Sequence, residues 1–169
     1  VTLPRRACHN RFMSHEDTLA RFYAAFARSD AEGMAACYAD DVVFSDAAFG
    51  ELRGRDASDM WRMLCARAEG LQVTFPVREA TVQRARVDWQ ARYRFSRSGR
   101  WVNNRIRGQF VMRDGLIVEH RDHFAVWRWA RQALGAPGWW LGWTPWLQGQ
   151  VRRQARAGLA AWRASAAPG

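Results

Sequence analysis

His120 and Asp122 are the residues whose types and spacing most clearly suggest chemistry. They lie two positions apart in a run of alternating residues, so in a strand they share one face, roughly 6.5 to 7 Å apart. Leu116, Val118 and Phe124 have the same parity, which predicts that both ionisable groups point into an apolar interior. An inward aspartate that lacks full solvation is a candidate general base, and a neighbouring histidine could orient it or exchange its proton. A satisfied structural pair, or Asp122 capping the helix that follows, stays equally open.

Asp46 is the second candidate acid or base. It shares parity with Val42 and Phe44 in a short predicted strand, so we expect it at the mouth of the same pocket. A turn aspartate that closes the strand is the alternative. Asn104 is a polar residue on an apolar face, where it could orient a carbonyl group or a water molecule, or serve as a buried structural amide.

Positions predicted to contact a small ligand lie on apolar strand faces or helix stripes. They are Tyr23, Phe44, Trp61, Trp89, Asn104 and Phe110. Tyr23 fits a helix stripe and would serve equally well as core. Neither a nucleotide-binding loop nor a metal-ligand cluster is visible, so we expect no cofactor and no metal. The three cysteines, Cys8, Cys37 and Cys65, have no metal-like spacing and are typical of reduced thiols in a cytoplasmic protein.

Helices and strands that would position these residues follow from the hydrophobic periodicity. Helical spacing after Ser14 predicts a first helix ending near residues 29–30, then a short helix over 31–38 and a third helix capped by Asp56 or Ser58. From Gln72 to Phe124 the period changes to two, with turn signals at 97–100 and 114–115. Each long strand then has one apolar and one polar face. Helices followed by an antiparallel sheet predict an α+β fold.

The charge of the chain is strongly basic, with 26 arginines or lysines against 16 acids and a net charge of +10. Every basic residue is an arginine. A nucleic-acid-binding surface has no reason to exclude lysine, so GC-rich bacterial coding explains the bias better, and we expect no specific nucleic-acid partner. The N-terminal residues lack the apolar stretch of a signal peptide. The uncharged run Gln132–Val151 contains two prolines and four glycines, which argues against a membrane span.

Two segments, Phe22-Tyr23-Ala24-Ala25-Phe26 and Tyr38-Ala39-Asp40-Asp41-Val42-Val43-Phe44, resemble the nuclear-transport-factor-2-like superfamily, in its SnoaL-like and ketosteroid-isomerase-like branch. The most specific likeness runs from Gly108-Gln109-Phe110 to His120-Arg121-Asp122-His123-Phe124. The resemblance implies a cone-shaped, strongly curved antiparallel sheet wrapped around N-terminal helices, with an apolar pocket at its wide end. It also implies a homodimer, as in many members. Known activities include isomerisation, aldol cyclisation and epoxide hydrolysis, and other members only bind ligands or partners.

Similarity to ketosteroid isomerase would make Asp46 the carboxylate base. However, Phe22 and Gly108 stand where that enzyme places the tyrosine and the protonated aspartate of its oxyanion hole. Tyr23 is adjacent to Phe22 and could replace the missing tyrosine, but its side chain points in a direction that differs by one helical step.

Similarity to limonene-epoxide hydrolase would make Asp122 the carboxylate that activates water. Arg86-Val87-Asp88 resembles that enzyme's Arg-x-Asp pair, but strand parity places Arg86 and Asp88 on the wet face. In that enzyme a tyrosine and an asparagine hold the water, and the matching positions are occupied here by Phe44 and Asp46.

The sequence therefore predicts an unstructured leader over 1–13, an α+β cone over 14–135, and a Trp-rich, basic helical extension over 136–169 that packs on the cone. The function it favours is binding of a small apolar molecule, with cofactor-free isomerase, cyclase or epoxide-hydrolase chemistry through Asp122, Asp46 and His120. The alternative is a non-catalytic ligand-binding or dimerisation module. Four tryptophans between Trp139 and Trp146 are expected to pack against the cone or a partner subunit and not to contact a membrane.

Overall fold

The computed structural model describes residues 15–80 and 83–166, so the predicted leader lies outside the described residues. Six helices are described: α1 (His15–Ala27), α2 (Ala31–Ala35), α3 (Arg55–Arg67), α4 (Val126–Leu134), α5 (Ala136–Leu141) and α6 (Pro145–Ala166). Seven strands are described: β1 (Tyr38–Asp46), β2 (Gly50–Arg53), β3 (Glu69–Thr74), β4 (Val77–Ala80), β5 (Arg84–Phe95), β6 (Arg100–Arg113) and β7 (Leu116–Phe124). The predicted α+β class is confirmed.

A single curved, open sheet has the strand order β2-β1-β7-β6-β5-β3, and β4 also pairs with β5. All pairs are antiparallel except β1 with β7, which run parallel. The parallel pair joins two strands far apart in the chain and sets Phe44 opposite His120. This register brings the two sequence segments with candidate acids side by side.

The hydrophobic core lies between the inner face of the sheet and helices α1 and α3. On β5 alternate residues from Ala85 to Ala91 are buried, whereas Arg86, Arg92 and Arg94 of the other parity are exposed. The predicted division of each strand into a core face and a wet face is correct for β5 and β6. Helix α3 follows Gly54, whose φ of 50° turns the chain without a side-chain cap, so the prediction of an Asp56 or Ser58 cap is wrong.

In β7 the predicted parity holds only for its second half. Val111 pairs with Glu119 but Met112 pairs with Ile117, so one extra residue sits in β7. Such a bulge inverts the alternation on either side of it. Ile117 is therefore buried and Leu116 is exposed, contrary to the prediction for Leu116, whereas His120 and Asp122 point inward as predicted.

Residues 136–166 of the C-terminal extension are helical apart from a short turn between α5 and α6. Helix α6 packs on the core through Leu159, with Ala155 and Trp162 half-buried beside it. The Arg163 guanidinium group lies 2.6 Å from Asp56 and 3.1 Å from Asp59 of α3. No helix among the described residues is long and apolar enough to cross a bilayer.

Trp139, Trp140, Trp143 and Trp146 have exposed side chains in the single chain, so these four do not pack on the cone, and their packing on a partner subunit stays a prediction. The reason is the close approach of α5 to α4. A Cβ atom on Gly138 would lie 2.0 Å from the Ala130 carbonyl oxygen, and one on Gly142 would lie 3.1 Å from the Trp127 ring. Because the glycines occupy the face turned to α4, the tryptophans between them project outward.

Candidate functional site

An apolar cavity of about 600 Å³ opens between the inner face of the sheet, α3 and the C-terminal helices. Phe44, Trp61 and Trp89 form part of its wall, and Val151 and Ala155 of α6 cover one side. Its size suits a small organic ligand. Two carboxyl groups, those of Asp46 and Asp122, interrupt the apolar lining.

The carboxyl group of Asp122 is held from behind by two N–H donors. The Trp89 indole Nε1 donates to Oδ1 at 3.2 Å, and His120 Nε2 lies 3.0 Å from the same oxygen. Both donors meet Oδ1, and no described residue donates to Oδ2. One oxygen of Asp122 therefore accepts two hydrogen bonds from the protein, while its side chain lines the cavity, an arrangement that would suit a positioned base.

His120 is fully buried and does not line the cavity. Its Nδ1 lies 2.7 Å from the Tyr38 hydroxyl oxygen, which also accepts the Trp61 indole N–H at 2.8 Å. Since an indole can only donate, the remaining described partner for the Tyr38 proton is His120 Nδ1. With the Tyr38 hydroxyl donating to Nδ1, His120 Nε2 carries a proton and donates to Asp122 Oδ1.

The chain of hydrogen bonds Trp61–Tyr38–His120–Asp122 thus runs in one direction, each donor pointing toward the carboxylate. Burial raises the pKa of Tyr38 well above its usual range, so its hydroxyl remains a donor at all ordinary pH values. His120 also contacts the Phe110 ring at 4.2 Å and the Phe44 ring at 5.2 Å between centroids. These contacts hold the His120 ring in one orientation behind the Asp122 carboxyl group.

Asp46 lies on the same side of the sheet as Asp122. In the parallel β1–β7 register Ser45 pairs with Arg121, so Asp46 comes next to Asp122 on the neighbouring strand, and neighbouring strands lie about 4.8 Å apart. Burial raises the pKa of Asp46 to about 6, the backbone N–H of Phe49 opposes this shift, and the charge of Asp122 adds to it. The site therefore holds one carboxyl group that is half protonated near pH 6.

Four of the predicted ligand-contacting residues line the cavity, namely Phe44, Trp61, Trp89 and Asn104. Tyr23 and Phe110 do not, because both are packed in the core behind the wall. Their rings lie edge to face at 6.2 Å, and the Tyr23 hydroxyl has no hydrogen-bond partner among the described residues.

The position of Gly108 explains why an isomerase-type oxyanion hole is not formed here. Gly108 lies opposite Asp122 in the β6–β7 register, where a Cβ atom would be 2.8 Å from the Phe110 ring and 3.0 Å from the Tyr23 hydroxyl. Aromatic side chains fill the space that a second acid would need. The two donors of that oxyanion hole are therefore missing, as Phe22 and Gly108 led us to expect.

Arg86 and Asp88 lie on the outer face of the sheet, as parity predicts, and not in the cavity. Asp88 is half-exposed and pairs with Arg107 at 3.4 Å. An Arg-x-Asp pair like that of epoxide hydrolases is therefore not part of this cavity. Among the described residues, no group of three His, Cys, Asp or Glu side chains is arranged to hold a metal ion.

Sequence reasoning missed Tyr38 and the contribution of α6. Tyr38 shares strand parity with Val42 and Phe44, so the signal was present, but its partner His120 is 82 residues away. Gln150 and Gln154 add polar groups to the cavity from α6. The amphipathic pattern of α6 predicts that one face of this helix points inward, but it does not show which part of the fold that face covers.

Comparison with known proteins supports the fold. A family model described as SnoaL-like domain matches residues 19–120, so α4 to α6 lie outside the match. No curated protein matches the chain.

Several solved structures are similar. A putative polyketide cyclase from Silicibacter sp. TM1040 is 20% identical, with a TM-score of 0.63 over 72% of this chain and 96% of that one. An LEH-like epoxide hydrolase of M. tuberculosis is 22% identical, with a TM-score of 0.61 over 71% of this chain and 89% of that one. A hypothetical protein with a ketosteroid-isomerase-like fold from Catenulispora acidiphila is 18% identical, with a TM-score of 0.64 over 76% and 98%. At these identities the likeness establishes the fold alone.

Proposed function

Because the chain belongs to the SnoaL-like family, we propose that it binds a small apolar molecule in the cavity and acts on it as a cofactor-independent acid–base enzyme. The observation that carries the proposal is the presence of two carboxyl groups, Asp46 and Asp122, in one largely apolar cavity. Their environments differ, and such a difference assigns different roles to paired acids. Asp122 is the general base and Asp46 is the general acid.

The proposed reaction is proton abstraction next to a carbonyl group. Asp122 Oδ2 takes a proton from the carbon next to the carbonyl, and the electron pair of that C–H bond forms the enolate. The protonated Asp46 donates to the developing oxyanion, the place where preorganised donors lower the barrier most. In a β,γ-unsaturated ketone the enolate is a dienolate, and return of the proton from Asp122 to its γ-carbon gives the conjugated isomer. In a diketone, attack of the enolate on the second carbonyl forms a C–C bond, and the resulting alkoxide takes the proton back from Asp122 to give a cyclised aldol.

His120 and Trp89 support this mechanism by fixing Oδ1 of Asp122, so that only Oδ2 reacts. Epoxide opening by activated water is the less favoured reaction, since Arg86 and Asp88 face away from the cavity. The polyketide cyclase and the epoxide-hydrolase-like protein among the similar structures are consistent with either chemistry.

The test uses solvent exchange, which needs no knowledge of the product. A panel of cyclic ketones is incubated with the protein in D₂O, and loss of α-proton signals is followed by NMR. We expect catalysed exchange for at least one ketone and a loss of about 10²-fold or more in Asp122→Asn. Asp88→Asn is the matched control, because it removes the same charge from the outer face of the sheet. If Asp122→Asn catalyses exchange as fast as the wild type does, and circular dichroism shows that its fold is unchanged, then Asp122 is not the general base.

A non-catalytic ligand-binding role is the second candidate, and the contacts of Asp46 favour it. Asp46 Oδ1 accepts the Phe49 N–H and so closes the turn between β1 and β2. A binder needs only the apolar cavity and one oriented polar group. If ketones bind, as shown by ligand-detected NMR, without exchange in the wild-type protein, the binding role replaces the enzymatic one.

A further inference from the structure

An exposed group of large apolar side chains lies on α4, α5 and the start of α6, on a surface that does not line the cavity. It consists of Trp127 at the start of α4, Trp139, Trp140 and Leu141 in α5, Trp143 in the turn, and Trp146 in α6. We call these six residues the tryptophan patch. Trp140 is 72% exposed and Trp143 is 68% exposed. Soluble surfaces rarely expose so many large apolar groups together without a partner.

Direct contacts connect four tryptophans of the patch, Trp127, Trp139, Trp140 and Trp143. The Trp127 and Trp139 rings lie 6.3 Å apart, and the Trp139 and Trp140 rings lie 5.8 Å apart. Two indole N–H groups donate to backbone carbonyls within the patch, from Trp127 to Trp139 and from Trp143 to Trp140. The patch therefore does not require a continuous amphipathic helix, because the α4–α5 packing assembles it from short segments.

Charge distinguishes between the partners that such a patch would fit. The chain has no acidic residue after Asp122 but six arginines. Arg128 and Arg153 are exposed, and Arg131 stacks on the Trp127 ring at 4.2 Å. Arg153 follows Trp146 by seven residues in α6, so both project from the same side of that helix.

A second copy of this chain is a poor occupant, because a symmetric contact would bring two surfaces of the same positive charge together.

The interface of an anionic bilayer fits better. Tryptophan is enriched at that depth, where its ring is among acyl chains and its N–H is near head groups. Arginine adds attraction to anionic lipid. We propose that the tryptophan patch docks the protein on anionic lipid membranes, with α4 to α6 lying at the surface and not crossing the bilayer.

The test is co-sedimentation of the full chain with phosphatidylcholine vesicles that do or do not contain phosphatidylglycerol. We expect binding only to the anionic vesicles, and release as NaCl is raised. The double variant Trp140→Ala with Trp143→Ala should weaken binding by about tenfold or more. Arg153→Gln should weaken it roughly fivefold, the factor that corresponds to about 1 kcal/mol per arginine at an anionic surface.

Two controls match these variants. Leu116→Ala shortens an exposed apolar side chain in the β6–β7 hairpin, and Arg105→Gln removes an exposed charge from β6. Both should bind as the wild type does. Absence of binding to anionic vesicles, equal binding to pure phosphatidylcholine, or unchanged binding by the double tryptophan variant would overturn the proposal. A concentration-dependent dimer that the double variant abolishes, without vesicle binding, would assign the patch to a second copy.

Discussion

The two cavity aspartates differ in how the protein surrounds their carboxyl groups. Asp122 has one oxygen fixed by the indole of Trp89 and the imidazole of His120. Asp46 is held by a backbone N–H at the end of its strand, and burial raises its pKa to about 6. Neighbouring acids with unequal surroundings divide into a base and a proton donor.

Asp46 makes a testable contribution to the pH dependence of stability. Its pKa is raised from 3.8 to about 6 in the folded protein, so between these values the folded state binds more protons than the unfolded chain. Its stabilising contribution is therefore complete below pH 3.8 and is lost as pH rises through 6. We expect the free energy of unfolding of Asp46→Asn, relative to the wild type, to rise by on the order of 2 kcal/mol between pH 4 and 7. Urea denaturation at each pH measures it.

Asp41→Asn is a control for which the pH dependence of stability should have the opposite sign. Asp41 is exposed, and its hydrogen bond with Arg113 lowers its pKa. Its small contribution is present above the unfolded value and is lost as pH falls. A pH-independent difference between Asp46→Asn and the wild type would contradict the assignment of a protonated acid in the cavity. Turnover that falls above pH 6 in the wild type would support it.

Among the elements, β6 reaches close packing with α1 only because residue 108 has no side chain. We expect Gly108→Ala to cost about 1 to 3 kcal/mol, since its Cβ would be 2.8 Å from the Phe110 ring. Gly149→Ala in α6 is the control, because nothing lies within 4 Å of its Cβ, and it should stabilise the helix by up to about 1 kcal/mol. Thermal or urea unfolding compares the two. Equal stability of Gly108→Ala and the wild type would show that the rings of Phe110 and Tyr23 can shift to make room for the methyl group at no cost in free energy.

Helix α6 closes one side of the cavity and is tied down by Arg156. Its Nε donates to the Phe49 carbonyl at 2.7 Å, and Nη2 donates to the Glu51 carbonyl at 3.2 Å. Arg156→Ala should lower the free energy of unfolding by about 1 to 3 kcal/mol, the range for hydrogen bonds from charged donors. It should also increase binding of a fluorescent apolar dye as the cavity opens.

The matched control for that variant is Arg153→Ala, one helical turn earlier and exposed. It removes the same charge without touching β2 or the turn before it. If both variants are equally stable and bind the dye equally, α6 is held by its apolar contacts with α3 and not by this arginine.

At the scale of the whole molecule the net charge of +10 is spread over arginines of the sheet and of the extension. If this excess reflects coding bias, duplex DNA should bind weakly, without sequence preference, and its affinity should fall steeply with salt. Fluorescence anisotropy with two unrelated duplexes at rising NaCl tests this. Sequence-selective binding that persists at physiological salt would contradict it.

How well a feature can be predicted from the sequence depends on how far apart in the chain the residues that determine it lie. The alternation in β5 and β6 is a local signal, and it predicted which residues face the core, including Trp89 and Asn104. The bulge in β7 is not local, because a strand gains an extra residue only relative to its partner. Leu116 was therefore misplaced, while His120 and Asp122, beyond the bulge, were placed correctly.

Periodicity and short motifs were enough to predict the α+β class, the family, the helical extension and the inward direction of Asp46, His120 and Asp122, because these features are recorded in local geometry. The remaining features depend on contacts that form only in the folded chain. The parallel pairing of β1 with β7 brought Asp46 next to Asp122 and Tyr38 within hydrogen-bonding distance of His120. The packing of glycines of α5 against α4 turned the tryptophans outward. Both depend on contacts between segments distant in the chain or on close backbone approach, which residue spacing does not encode.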